Sequence, residues 1–413
     1  MKKGSGYLTV AWTFLILFFG CKNDLPLQGF DPEDGFDPRR RGQFTMEVLG
    51  TLEEVTFSDT VTVTGRSPFL ALGEYKGVEA RILMKFAPMP DSLDVLSAAI
   101  LLRTNAIFHD RTNKTSFTAT CHEALSEWAD STVTYDSFGD AFDPTPIASI
   151  EMLSVDRGSD TLNVETVRIE LDSLVLEQVL FDSTSNFNRN GIVIKANGAT
   201  FIKEFFSVNN EANRPQLELR VAGEDSGEVN RIFVEVQQDA FVARELNRLP
   251  SDLLYVDYLF TRHVVLKFDL SHIPRETLIN RASMKINLNK EYSIIKSDGV
   301  ANLNNGFALM IERLKAPFQP GADVEIDSSR VQVLTVVPEQ PNPVVVPDGQ
   351  FASAFRRFIQ DWVDGSAENH GMIMRTFTSG FDVSRLAIQT STPTDSTAGP
   401  ILEIEYSVAP NYP

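Results

Sequence analysis

The segment Ile401-Leu402-Glu403-Ile404-Glu405-Tyr406 decides the fold class of this 413-residue chain. From Leu402 onward apolar and charged residues alternate, which is typical of a β-strand with one buried and one solvated face. Leu217-Glu218-Leu219-Arg220-Val221 has the same pattern, and similar runs begin near residue 45, separated by clusters of Pro, Gly, Asn and Asp. The sequence therefore predicts an all-β protein built from β-sandwiches.

Two halves of the chain carry corresponding segments in the same order. Arg81-Ile82-Leu83-Met84-Lys85-Phe86 and Val264-Val265-Leu266-Lys267-Phe268 are each followed by a proline-containing turn. Pro215 and Pro400 each introduce a closing strand. We interpret this order as an internal duplication with a period of about 180 residues.

The stretch Ala222-Gly223-Glu224-Asp225-Ser226-Gly227 is small and polar, which is the composition of a boundary between domains. We therefore predict two tandem β-sandwich domains, at residues 45–221 and 228–408. Apolar residues at helical spacing predict a short helix near the C-terminal end of each domain, at 172–180 and at 351–363.

The second half resembles the DNRLRE-type β-sandwich domain, which is related to modules classed as carbohydrate-binding. The resemblance covers roughly residues 228–408 and rests on five segments in order. These are Leu266-Lys267-Phe268-Asp269-Leu270-Ser271-His272-Ile273-Pro274, Ala282-Ser283-Met284-Lys285-Ile286, Phe358-Ile359-Gln360-Asp361-Trp362-Val363-Asp364-Gly365-Ser366, Asn369-His370-Gly371-Met372-Ile373-Met374 and Leu402-Glu403-Ile404-Glu405-Tyr406. The first half is similar but more divergent, and it contains a segment often found in this family, Trp128-Ala129-Asp130-Ser131-Thr132-Val133-Thr134-Tyr135. The resemblance implies jelly-roll-like sandwiches and does not by itself imply a ligand.

The N-terminus has the organisation of a lipoprotein signal peptide. Met1-Lys2-Lys3 is basic, and residues 7–19 are almost wholly apolar but too few to span a bilayer comfortably. Leu17-Phe18-Phe19-Gly20-Cys21 resembles a bacterial lipobox, which implies acylation of Cys21 after removal of residues 1–20. The Pro-, Gly- and Asp-rich residues 21–44 are expected to form a flexible tether.

Charge and cysteine content limit the partners and the compartment. The formal net charge of −19 argues against a nucleic-acid partner. Lys22 stands where inner-membrane lipoproteins commonly carry a retaining aspartate, and the polar residues just past Cys21 resemble surface-export signals of lipoproteins. We therefore expect the outer membrane, with exposure at the cell surface. Cys121 is the other cysteine; its alternating sequence context predicts a small buried hydrophobe on a strand, without an intrachain disulfide.

The sequence contains little that indicates catalysis or a bound cofactor. The histidines His109, His122, His263, His272 and His370 form no metal-ligand motif, and no phosphate-binding loop or nucleophile elbow is present. We therefore predict a protein that is not an enzyme and has no cofactor. The Asp-rich turn Asp140-Ala141-Phe142-Asp143 could hold a structural Ca²⁺, although a solvated turn is the default interpretation.

Aromatic side chains are the remaining candidates for a ligand site, because sugar rings stack on exposed Trp or Tyr. Trp362 lies on the apolar side of its predicted helix and is expected in the core. Trp128 lies beside a strand in a polar region and is the candidate for a ligand contact. Tyr255, Tyr258 and Tyr292 are candidates only because they lie near predicted loops.

These observations favour a non-catalytic surface lipoprotein with two β-sandwich modules, for which polysaccharide is the expected ligand. The alternative is a structural or assembly protein of the cell envelope that binds other proteins. Both hypotheses include attachment to the membrane through the lipid on Cys21.

The role of Cys21 can be tested directly. We expect Cys21→Ser to abolish incorporation of radiolabelled palmitate and to release the protein from the membrane fraction, because the thiol is the attachment point of the lipid. The parallel substitution Cys121→Ser is the control and should leave labelling unchanged. Continued labelling of Cys21→Ser would contradict the prediction.

Overall fold

Long β-strands dominate the structure, which is a computed structural model. It describes residues 43–408 except 59–62, 90–92, 110–114, 155–164, 173–179, 181, 183, 224–227, 297, 300–305, 340, 347–351, 378–379, 381, 393–394 and 396. The strands of the first half are β1 (Gln43–Ser58), β2 (Phe69–Tyr75), β3 (Val78–Phe86), β4 (Val95–Phe108), β5 (Ser116–Glu123), β6 (Ala148–Leu153), β7 (Thr166–Glu170), β8 (Ile192–Asn197), β9 (Ile202–Phe206) and β10 (Gln216–Ala222).

The second half contributes a corresponding set of strands. They are β11 (Val229–Glu245), β12 (Leu253–Asp257), β13 (Arg262–Phe268), β14 (Thr277–Ile286), β15 (Asp298–Gly299), β16 (Phe307–Leu314), β17 (Ile326–Val336), β18 (Val344–Val346), β19 (Met372–Thr376), β20 (Arg385–Gln389) and β21 (Ile401–Val408). The helices among the described residues are short: α1 (Tyr135–Phe138), α2 (Asn186–Asn190) and α3 (Ala352–Val363).

The strands form large antiparallel sheets, so the predicted all-β sandwich class is confirmed. One sheet has the order β11-β10-β4-β9-β2-β3-β8-β5-β6, with β7 and β15 also paired to β4. Another has the order β17-β16-β19-β13-β1-β21-β14-β18, and β12 pairs with β20 in a small separate sheet.

Corresponding strands have the same pairing register in both halves. In the first half, Ile82 on β3 is opposite Ile194 on β8. In the second half, Val264 on β13 is opposite Met374 on β19. The closing strands β10 and β21 also pair in the same way, with β4 and β14 respectively, and each pairing contains an irregularity near the end of the closing strand. The two halves therefore repeat one pairing pattern.

Two glycines mark equivalent positions at which a side chain does not fit. Gly191 and Gly371 have φ of +80° and +94°, a conformation that favours glycine. A Cβ atom at Gly191 would lie 1.9 Å from the carbonyl oxygen of Met84, and one at Gly371 would lie 2.6 Å from that of Leu266. The glycines therefore allow β8 and β19 to approach their neighbouring strands closely.

The first strand of each half is hydrogen-bonded within the sheet of the other half. β1 lies between β13 and β21 of the second half, with Thr56 opposite Val264. β11 pairs first with β10 and then with β3, with Leu217 opposite Val234 and Ile82 opposite Phe241. The boundary predicted between β10 and β11 therefore divides the chain but does not divide the hydrogen-bonded sheets. Residues Phe44–Val408 form one compact unit.

We call the pairing of β1 and β11 within the sheet of the opposite half the strand exchange, and β1 and β11 the exchanged strands. Each sandwich has its own apolar core, which includes residues of one exchanged strand. The first core contains Val234 and Val236 of β11 together with strands of the first half. The second core receives Leu49 of β1 and the apolar face of α3. Cys121 is buried on β5, as predicted, and burial raises the pKa of its thiol.

The predicted helices have different outcomes. The helix expected at 351–363 is present as α3, and Trp362 is buried in the second core as predicted. The helix expected at 172–180 falls largely outside the described residues. The described helix of that region, α2, lies nearer to Gly191 and begins with a cap from the Ser185 side chain, which accepts a hydrogen bond from the Asn188 N–H.

The strand exchange predicts that the two halves remain together after the connection between them is cut. We expect a protease site inserted after Gly223 to be cleaved without separation of the fragments on native size-exclusion chromatography, because β1 and β11 each pair within the opposite fragment. The uncut chain provides the reference elution volume. Separation of the fragments without denaturant would contradict the exchange.

Candidate functional site

Trp128, the candidate ligand contact from the sequence, is a core residue. It is only 6% exposed and packs with Leu83, Val193 and Val242. Its indole Nε1 donates a hydrogen bond of 2.8 Å to the carbonyl oxygen of Asn190. The expectation of a ligand contact is therefore corrected: neither the ring face nor the polar edge of Trp128 is available to a sugar.

The tyrosines suggested by the sequence are also largely buried. Tyr255 and Tyr258 are buried, and Tyr292 is partly buried. Tyr255 donates from its hydroxyl to the carbonyl oxygen of Pro250 at 3.0 Å, and burial raises its pKa to about 12. Proximity to predicted loops is thus a poor guide to exposure, because Tyr255 lies on β12, which pairs with β20, and Tyr258 packs in the second core.

The remaining sequence candidates do not form a site. Cys21 lies outside the described residues. Asp140 forms a 2.7 Å ion pair with Arg81, and this contact lowers the pKa of the Asp140 carboxyl. The Asp143 carboxylate accepts a hydrogen bond from the Thr145 backbone N–H at 2.8 Å. Among the residues that the structure describes, no group of three or more His, Cys, Asp or Glu side chains is arranged to hold a metal ion.

A cleft of about 430 Å³ lies where the two halves meet, and we call it the Tyr135 cleft. Its floor is the C-terminal part of β11, which includes Phe241 and Val242. One wall is formed by Val133 to Asp136 at the start of α1, and the other by the turn from Leu259 to Arg262. Ser58, at the end of the exchanged strand β1, also lines it. The cleft is therefore a product of the strand exchange.

The Tyr135 wall is positioned by a capping box and by two arginines. Thr134 caps α1 through reciprocal hydrogen bonds with Ser137. The guanidinium carbons of Arg81 and Arg244 lie 4.9 and 4.6 Å from the centre of the Tyr135 ring. Both arginines form ion pairs with Glu79, at 2.8 and 2.7 Å. Burial raises the pKa of Tyr135, so its phenol is neutral at physiological pH.

The opposite wall repeats this combination of an aromatic ring, an arginine and carboxylates. The Arg262 guanidinium carbon lies 5.0 Å from the centre of the Phe260 ring. Arg262 forms ion pairs with Glu245 at 2.5 Å and with Asp257 at 2.9 Å. Burial raises the pKa of Asp257, and the charge of Arg262 partly offsets this effect. The buried Arg385 also forms an ion pair with Glu245, at 2.8 Å.

This arrangement presents paired donors and acceptors to a ligand. Arg244 and Arg262 supply N–H donors, while Glu245 and Asp136 supply carboxylate acceptors at the cleft. Because guanidinium groups already lie near the Tyr135 and Phe260 rings, a ligand would bind mainly by hydrogen bonds rather than by stacking on an open aromatic face. A neutral, hydroxyl-rich molecule meets these requirements.

Comparisons with protein-family models, with curated proteins and with solved structures gave no match for this chain. Among the described residues, none of the helices has the length and apolar composition needed to span a lipid bilayer. The functional assignment therefore rests on the residues of the chain itself.

The corrected role of Trp128 can be tested by stability. We expect Trp128→Ala to lower the free energy of unfolding by about 3–5 kcal/mol, the usual effect of removing a large aromatic side chain from a core. Chemical denaturation followed by circular dichroism measures this change. Trp128→Phe is the matched control. It should lose less stability than Trp128→Ala, because it keeps an aromatic ring in the core although it lacks the hydrogen bond to Asn190. An unchanged denaturation midpoint for Trp128→Ala would show that the residue is not part of the core.

Proposed function

We propose that the protein is a non-catalytic surface lipoprotein that binds polysaccharide in the Tyr135 cleft. The observation that carries this proposal is that the arginine donors Arg244 and Arg262 and the carboxylate acceptors Glu245 and Asp136 line one cleft. Sugar hydroxyls both donate and accept hydrogen bonds, so alternating groups of this kind satisfy them.

The charge of the cleft favours a neutral saccharide over a strongly acidic one. Arg244 and Arg262 are each engaged by carboxylates, at 2.7 Å from Glu79 and at 2.5 Å from Glu245. The overall charge of −19 also repels polyanions. The proposed ligand is therefore a neutral polysaccharide, held by charge-assisted hydrogen bonds.

The proposed attachment and family are consistent with this function. A lipid on Cys21 and a tether over residues 21–44 would hold β1, and with it both sandwiches, at the outer membrane surface. We further propose that both halves are DNRLRE-type domains, on the order of their sequence segments. The equivalent pairing registers of the two halves support a common origin for them.

A glycan array with the chain lacking residues 1–21 tests the proposal. We expect binding to a neutral polysaccharide, and we expect Arg244→Ala to weaken it at least about tenfold, equivalent to ~1.4 kcal/mol. Arg281→Ala is the matched control, because Arg281 is exposed on β14 in a 3.8 Å ion pair with Glu405 and does not line the cleft.

Two outcomes would contradict polysaccharide binding in the cleft. One is the absence of binding across plant, algal and bacterial polysaccharides, and the other is equal binding by Arg244→Ala and the unmodified chain.

The second candidate function, a protein-binding component of the envelope, is favoured by Met46 and Leu52 of β1, which are 61% and 60% exposed. Co-purification of a stable protein partner without any glycan binding would support that candidate instead.

A further inference from the structure

A lysine is enclosed with two carboxylates where the halves meet. The side chains of Lys296 and Glu204 are 3% and 1% exposed, and Nζ lies 2.8 Å from Glu204 Oε1. The same nitrogen lies 3.2 Å from Asp382 Oδ2. Lys296 and Asp382 belong to the second half, whereas Glu204 is on β9 of the first half. Both halves therefore build this cluster.

The surroundings of the cluster bury it and leave its charges poorly solvated. The Lys296 ammonium lies 4.5 Å from the centre of the Phe69 ring and 5.7 Å from that of Phe108. The buried amide of Asn105 donates to Glu204 Oε1. Within the part of the chain that the structure describes, Glu204 Oε2 is buried and has no hydrogen-bond partner. Keeping three ionisable groups in such a place costs free energy, and the cost falls if charges are removed.

Asp382 is oriented as an acceptor for nucleophilic attack. Its Oδ2 faces the lysine, while its Oδ1 accepts the backbone N–H of Ser384 at 2.7 Å. That N–H would stabilise the negative charge that develops on Oδ1 when a nucleophile adds to the carboxyl carbon. Enclosure of the amine next to the carboxyl replaces an encounter in solution by a preorganised contact.

We propose that Lys296 and Asp382 condense to form an intramolecular isopeptide bond. The bond forms between Lys296 Nζ and Asp382 Cγ, and the bond between Cγ and Oδ2 breaks. The ammonium supplies the two protons with which Oδ2 leaves as water, so no oxidant or other reactant is required. The product is a neutral amide in place of a buried cation and a buried anion.

Glu204 is positioned to relay a proton during this condensation. Its Oε1 is in contact with Nζ, and burial raises its pKa to about 7, so it can gain and lose a proton near neutral pH. Burial alone would lower the pKa of Lys296, but the two carboxylates outweigh this effect and raise it. The free amine, which is the nucleophile, is therefore the minor species near neutral pH.

The bond would fasten the segment before β15 to the segment before β20. β15 pairs with β4 of the first half, and β20 pairs with β12 of the second. Cys121 is buried and unpaired, so a disulfide does not stabilise the described part of the chain. An isopeptide bond would provide a covalent cross-link that reducing agents do not break.

Intact-mass spectrometry of the folded chain lacking residues 1–21 tests the proposal. We expect a mass lower than that of the sequence by one water molecule, and a digest that contains one branched peptide joining Lys296 to Asp382. An unaltered mass after prolonged incubation would overturn the proposal. Loss of ammonia with a branch to Asn105, or a branch to Glu204, would also overturn it.

Substitutions test the assigned roles. Lys296→Arg keeps the positive charge but should abolish the loss of water, and Asp382→Ala should abolish it too. Lys203→Arg is the matched control, because Lys203 is equally buried and lies 2.9 Å from Glu165 Oε2, with no assigned role in the condensation; it should react as the unmodified chain does.

Glu204→Gln should slow the loss of water at least about tenfold, consistent with removal of a general acid or base. Loss of water at the unmodified rate in Glu204→Gln would overturn the relay.

Discussion

The exchange of β1 and β11 between the halves is the constraint on which the rest of the structure depends. A strand at the centre of a sheet needs partners for its backbone groups on both sides, and for β1 these partners are β13 and β21, more than 200 residues away in the chain. Neither half can complete its sheets without the other. The halves are therefore one cooperative structure, although the sequence contains two copies of a pattern.

Polar groups concentrate at the place where this exchange brings the halves together. Arg385 is almost fully buried there and contacts Glu245 of β11 through Nη1 and the carbonyl oxygen of Lys76 through Nη2, at 2.8 and 3.2 Å. Lys296 and Glu204 meet in the same region of the fold, again from different halves. Apolar surfaces alone would allow many relative positions, whereas buried ion pairs are satisfied in few of them. We infer that these pairs specify how the halves fit, at a cost in desolvation.

The sequence predicted the elements well because strand and helix patterns are local. Alternation located β10 and β21, and the apolar spacing of α3 placed Trp362 in the core. The sequence did not predict which sheet β1 joins, because alternation specifies a buried face and not the neighbour that pairs with it. Because the two halves have equivalent pairing registers, both offer similar places for a first strand, and the local pattern of β1 does not distinguish them.

The candidate site was missed for a related reason. Trp128 and Tyr135 belong to one segment of the sequence, and residue type favoured the tryptophan as the ligand contact. The fold reverses this preference, because Trp128 satisfies its indole N–H on Asn190, whereas Tyr135 lines the cleft beside Arg244 of β11. Arg244 reaches Tyr135 only because β11 is paired with β3. The cleft therefore exists only because β1 and β11 pair with strands of the opposite half. This pairing also brings Ser58 and Arg262, which are distant in sequence, into the lining of one cleft.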